Sequence, residues 1–203
     1  MSHPLQNRVT PFGEIVMVSA RGTMMGNRGG CLHDAAQRLG RRRWTSRRWI
    51  CCRLSFKGWH RNVMTPGRYT ELFFLDEATA LAAGHRPCAL CRRADYRSFQ
   101  AVWRRSGLPG ADRADAMDRL LHAERTDLRD KSVRPGDLPN GAMVAQGEAA
   151  YLVNNSRLYR WSHQGYTAAP DDGGSPPWRL LTVQAMVTIL ASGYTPGIHQ
   201  SGN

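Results

Sequence analysis

Cys88 and Cys91 stand two residues apart, directly after Pro87. A proline-stiffened turn with thiols at this spacing aims both sulfurs at one point, which is half of a tetrahedral zinc site with Zn–S bonds of about 2.3 Å. Two more ligands are needed, and Cys31, Cys51, Cys52, His33, His60 and His85 are the side chains able to supply them. Two bland readings compete. The pair can be small buried hydrophobes, or a redox dithiol, although the flanking pattern is not thioredoxin-like. A chain without a secretory leader is expected in the cytoplasm, where thiols stay reduced, so five cysteines point to metal ligation before disulfides.

The elements around this pair read clearly. Asp76 is an N-cap, Glu77 places a carboxylate in the first turn, and Ala78, Ala80, Leu81, Ala82 and Ala83 favour helix up to a stop at Gly84. A short helix over residues 76–83 therefore delivers the chain into His85-Arg86-Pro87-Cys88. Residues 92–105 continue as a helix whose Tyr96, Phe99, Val102 and Trp103 fall at core spacing. Upstream, residues 1–12 are expected as a flexible lead-in, 14–20 as a strand, the glycine-rich 21–30 as a loop, and 49–56 and 69–74 as strands. Downstream, residues 112–129 form an amphipathic helix, 131–140 a Pro/Gly linker, and 142–145, 149–153 and 157–161 short strands. Asn154-Asn155 makes a tight turn; residues 171–177 are a loop and 182–191 a closing helix ended by Gly193. The expected fold is α+β: a small zinc-knuckle module with short strands and helices, then a helix, then a small β-rich C-terminal part. The divisions fall at 1–107, 108–140 and 141–203.

Charge supplies the second signal. The 203 residues carry a formal net charge of +12, and since Lys57 and Lys131 are the sole lysines, almost all of it is arginine. From Arg28 to Arg61 there are ten basic residues and one acid, Asp34. Such a concentration suits a polyphosphate, whose condensed counterions are released on binding. Trp44, Trp49 and Trp59 interleave with the charges, and tryptophan stacks on bases. Arg41, Arg42, Arg43, Arg47, Arg48 and Trp49 are thus the expected nucleic-acid contacts. No apolar run reaches the length of a membrane span, so no membrane partner is expected.

The stretch from Phe73 through Asp76-Glu77-Ala78 to Gly84-His85-Arg86-Pro87-Cys88-Ala89-Leu90-Cys91 resembles the N-terminal metal-binding module of the Ada alkylation-response protein family. That module runs from an aromatic residue through an Ala-rich helix to Gly-x-Arg-Pro-Cys-x-x-Cys. The resemblance covers about residues 49–99. It implies zinc, two further ligands upstream past a hairpin, and contact with DNA in preference to RNA; in the family one zinc cysteine accepts a methyl group from a backbone phosphotriester. Here Ile50-Cys51-Cys52-Arg53 takes the upstream place where the family has Cys-x-x-x-Cys, and His60 lies near its second ligand. The implied set is Cys52, His60, Cys88 and Cys91, with Cys51 able to replace Cys52.

Two enzymatic patterns stand beside this. His122-Ala123-Glu124 with Pro87-Cys88-x-x-Cys91 resembles the two halves of a zinc nucleobase deaminase site, in reversed order. Asn27, His33 and Asp34, beside the basic strip, are the residues a metal-dependent nuclease would use.

Overall fold

The computed structural model describes residues 3–60, 62–111, 113–127, 131–169 and 178–202. Within them the chain is α+β, with two six-stranded sheets and four helices. The first sheet contains β1 (Gln6–Val9), β2 (Ile15–Met17), β3 (Met24–Asn27), β4 (Ile50–Arg53), β5 (Leu72–Phe74) and β6 (Arg86–Pro87), in the order β2-β1-β5-β3-β4-β6. The β1–β5 and β4–β6 pairs are parallel; the others are antiparallel. The second sheet contains β7 (Ser132–Val133), β8 (Met143–Gln146), β9 (Ala149–Asn154), β10 (Arg157–Ser162), β11 (Gly165–Ala168) and β12 (Trp178–Leu180). It is antiparallel throughout, in the order β11-β10-β9-β8-β12-β7. The helices are α1 (Glu77–Ala82), α2 (Arg93–Arg105), α3 (Ala114–Thr126) and α4 (Gln184–Ala191).

Helix α1 is the hub. Six residues are too few for a stable helix in water, yet all six are buried. Its alanines let three cores close around it. Ala80 joins Val9, Leu72 and Phe74 under the first sheet; Ala78 and Ala82 join Met143, Leu152 and Tyr166 under the second; Leu81 joins Phe99, Trp103, Leu121 and Ile189 among α2, α3 and α4. These clusters take residues from both ends of the chain. Polar anchors hold the same point. Asp76 caps α1 through Thr79 N (2.8 Å) and also accepts from Tyr166 OH and His199 N (both 2.9 Å). Glu77 accepts from Arg92 Nη2 (2.7 Å), Tyr194 OH (2.6 Å) and Gly197 N (2.9 Å). The chain after α4 is thereby strapped to the helix that precedes the cysteines.

Several expectations need correction. Residues 1–12 are not a flexible lead-in: β1 lies inside the first sheet, and Val9 is fully buried. A four-residue strand with one apolar side chain leaves little periodicity to read. Residues 21–30 are not all loop, because β3 crosses them. Gly26 is there for space: a Cβ would sit 2.1 Å from the Ile50 carbonyl oxygen and 2.8 Å from the Phe74 ring. The Pro/Gly linker contains β7, which pairs with β12. The hairpin turn is shifted by one residue to Asn155-Ser156, with φ of 49° and 58°, between the paired Asn154 and Arg157. β11 and β12 were not expected. The loop at 171–177 falls outside the described residues. No described helix is long and apolar enough to cross a membrane.

Candidate metal centre and basic surface

Strand register builds the cysteine site. β6 runs parallel to β4 with Cys51 opposite Pro87, and Cys88 N donates to Cys51 O (2.9 Å). This sets Cys88 beside the neighbouring strand residue, Cys52. The chain then turns, with Arg92 N donating to Cys88 O (3.1 Å), and brings Cys91 back. The sulfurs of Cys52, Cys88 and Cys91 lie within 4.8 Å of one another and could together hold a metal ion.

The surroundings suit anionic sulfur. Leu90 N donates to Cys88 Sγ (3.4 Å). Hydrogen bonds from Cys52 and Cys91, helped by the backbone N–H groups of Cys91 and Leu90, hold the Cys88 thiol far below the usual thiol range. Cys52 is pushed up, first as hydrogen-bond donor to Cys88 and Cys91 and then by burial. A divalent ion would draw all three into the thiolate form and release the remaining protons.

Adjacent cysteines divide the work. Cys51, whose exchange with Cys52 the sequence left open, is fully buried in the first-sheet core and accepts from Arg92 Nη1 (3.6 Å). Burial, then the nearby Glu77 carboxylate, push its thiol up. Consecutive strand residues point to opposite faces, and the register with β6 decides which of the two meets Cys88. His60 is exposed in the loop after β4 and is not among the converging ligand atoms. Cys31 is exposed and donates to His33 O (3.2 Å). His85 is fully buried between Phe74 and Trp49, with ring centroids at 4.6 and 5.1 Å, and its Nε2 accepts from Arg28 Nε (3.2 Å).

The residues of the two enzymatic patterns are engaged elsewhere. Glu124 accepts from Ala185 N (2.8 Å) at the start of α4, and His122 packs edge-on against Trp44 (5.6 Å); neither joins the sulfur group. Both ring nitrogens of His33 have partners, Thr70 Oγ1 (2.6 Å) and Thr65 O (3.2 Å). Asp34 bonds Ala36 N and Arg38 N and pairs with Arg38, while Asn27 Oδ1 accepts from Gly29 N.

Arg41, Arg42, Arg43, Arg47 and Arg48 are all exposed on the long connection between β3 and β4. Arg48 makes a surface pair with Asp115 (3.1 Å), and Arg43 donates to Gly40 O (2.6 Å). Trp49 departs from its expected role. It is 6% exposed, with the guanidiniums of Arg28 and Arg125 stacked on its ring at 3.9 and 4.4 Å. Its indole holds protein cations and is not available to a base; Trp44, 41% exposed and 5.9 Å away, is the more accessible ring. Arg28 and Arg125 themselves escape sequence reading, because nothing in an arginine-rich chain distinguishes a buried arginine from a solvated one. No protein-family model, curated protein or solved structure matches this chain, so its chemistry is read from these side chains.

Proposed function

We propose that the chain binds zinc through Cys52, Cys88 and Cys91 and binds nucleic acid, DNA in preference to RNA, through its exposed arginines. The observation that carries this is the convergence of three sulfurs on a turn whose backbone N–H groups already point at them. The donor set decides the class of metal. Thiolates select soft or borderline ions, zinc foremost, and disfavour magnesium and calcium. Ligation of β4 to the turn after β6 would tie the edge of the first sheet to α2 and so stabilise the fold. With three sulfurs converging among the described residues, the fourth position falls to His60, as the likeness to the Ada module implies, or to solvent.

The nucleic-acid reading is supported by the five exposed arginines and by their continuation onto α3, where a cleft of about 460 Å³ is lined by Arg48, Arg113 and Arg119. Contacts of this kind are with phosphates, so affinity should fall steeply with salt, with a log–log slope of about −0.9 per phosphate neutralised on duplex DNA.

The test is metal content followed by binding. Wild type should purify with one zinc per chain. Cys52→Ser and Cys88→Ser should lose it, whereas Cys51→Ser should retain the metal and lose stability only. Fluorescence anisotropy on duplex DNA, single-stranded DNA and RNA, across a salt series, should give the tightest binding to DNA. Replacing Arg41, Arg42 and Arg43 together by Gln should flatten the salt slope by about 3. Metal-free wild type from zinc-supplemented medium, with Cys52→Ser and Cys88→Ser equally stable, would dispose of the metal site. A salt slope unchanged by the triple replacement would dispose of the strip.

A further inference from the structure

A cleft of about 830 Å³ opens between the first sheet, α3 and the segment leading into α4. Two of the arginines in its wall have buried head groups. Arg28 is 1% exposed; Nε donates to the neutral ring of His85 (3.2 Å) and Nη2 to the Gly13 carbonyl (2.8 Å). Arg125 reaches the Arg47 carbonyl through Nη1 at a weak 3.4 Å, while its Nε and Nη2 are buried with no hydrogen-bond partner among the described residues. Both guanidiniums lie on Trp49. Among the described residues neither forms an ion pair.

The wall carries three carboxylates, Glu14, Glu124 and Asp127, against five cations, Arg28, Arg43, Arg125, Lys131 and Arg179. Glu124 is committed to the N-terminus of α4, and Glu14 is exposed at the rim. Asp118, the acid with the strongest pull on Arg125, is held by Arg86 in two bonds of 2.8 Å. Arg43 and Lys131 add charge of the same sign to the lining. Burial first, then repulsion by Arg125 and Arg43, bring Arg28 down to about 9; burial likewise brings Arg125 to about 9. An arginine does not relieve such strain by deprotonating at neutral pH. What relieves it is an anion with several acceptor oxygens, and phosphate is the anion that guanidinium forks match best. Trp44 stands in the same wall, partly exposed, as a flat apolar surface close to the buried charges.

We propose that this cleft binds a nucleotide, its phosphate group taken by Arg28 and Arg125 and its base laid against Trp44. The site does not involve the sulfur centre, and of the exposed arginine strip only Arg43 reaches its lining, so substitutions at Arg125 and Trp44 test it apart from the strip. A free mononucleotide and the phosphorylated end of a strand share this chemistry.

Titration of the full chain, followed by calorimetry and tryptophan fluorescence, tests it. The probes are inorganic phosphate, a nucleoside 5′-monophosphate, the matching nucleoside, and a short oligonucleotide with or without a 5′-phosphate. The monophosphate should bind at least tenfold more tightly than either the nucleoside or inorganic phosphate. Arg125→Met should weaken it at least tenfold without lowering Tm, because an unpaired buried charge is being removed. Trp44→Ala, at a partly exposed position, keeps the test decisive should Arg125→Met fold poorly. It should weaken the monophosphate severalfold and leave inorganic phosphate unchanged. Competition by the phosphorylated oligonucleotide alone supports the proposal with strand ends as ligand; absence of competition, with the monophosphate bound, supports it with free nucleotides. A nucleoside bound as tightly as its monophosphate, or monophosphate affinity indifferent to both substitutions, overturns it.

Discussion

Among the described residues Arg28, Arg86 and Arg92 are buried and Arg125 buries most of its head group, and these four are treated in two ways. Arg86 meets Asp118 in a bidentate pair at 2.8 Å, with both side chains 5% exposed or less. Arg92 meets Glu77 at 2.7 Å and Asp95 at 2.8 Å, and its third nitrogen points to Cys51. For Arg92, burial works against the charge, but the hydrogen bond and charge of Glu77 outweigh it, and its proton is held more tightly than usual. Arg28 and Arg125 receive a neutral ring, backbone carbonyls and an indole face and, among the described residues, no ion pair, although the charges of Asp118 and Glu124 act on Arg125 at longer range. The first pair completes its own electrostatics within the chain and belongs to the fold. The second is left without an ion-pair partner among the described residues. Charges that a chain buries without balancing are the places to look for what it binds.

The largest expected effect comes from converting one kind of arginine into the other. Asp118→Ala leaves Arg86 buried and unpaired, which should cost about 3–5 kcal/mol. For a chain of this size that lowers Tm on the order of 6–20 °C, measurable by thermal or urea denaturation. A loss below about 1 kcal/mol would erase the energetic distinction between the two pairs, since the typical cost of stranding a buried charge is several times that.

A smaller effect should follow from disturbing the seat of Arg125. Gly84 ends α1 at φ +79°, and a Cβ there would lie 2.5–2.7 Å from Arg125 Cδ, Cγ and Nε. Gly84→Ala therefore meets two obstacles, a left-handed backbone and an occupied space, and should cost about 1–3 kcal/mol. Because it displaces the guanidinium, it should also weaken nucleotide binding in the cleft, whereas Asp118→Ala should act on stability first. If Gly84→Ala left both stability and nucleotide affinity untouched, Arg125 would have a second position available, and its missing partners would lose their meaning.

How much of this the sequence discloses depends on whether the signal is local. The helix at residues 76–83, its Asp76 cap and its Gly84 stop can be read directly, because each depends on neighbours within a turn. So can Cys88 and Cys91. Cys52 against Cys51 cannot, since the choice rests on the register between β4 and β6, strands joined by a long stretch of chain. β3 hides because Gly26 serves packing against Ile50 and Phe74 where it reads as loop. The arginine strip is legible as charge, but burial is not. Trp49 sits in the same run as Arg47 and Arg48, and only the folded chain separates the ring inside from the cations outside. The unbalanced pair is illegible for the same reason: Arg28 and Arg125 become partners only when α3 closes over the end of β3.

The smallest effect is the control on the whole comparison. Arg48 and Asp115 form an ion pair of 3.1 Å, similar in chemistry to Arg86 and Asp118, but the two side chains are 67% and 64% exposed. Water already solvates both charges, and ordering two mobile side chains offsets most of the attraction. Asp115→Ala should therefore change stability by less than about 1 kcal/mol, and the effect should shrink further in high salt. Freed from its carboxylate, Arg48 becomes one more cation facing the cleft it shares with Arg113 and Arg119. The same substitution should then tighten DNA binding modestly at low salt while leaving nucleotide affinity in the larger cleft unchanged. A stability loss comparable to that of Asp118→Ala would mean that exposure does not separate structural charges from functional ones in this protein.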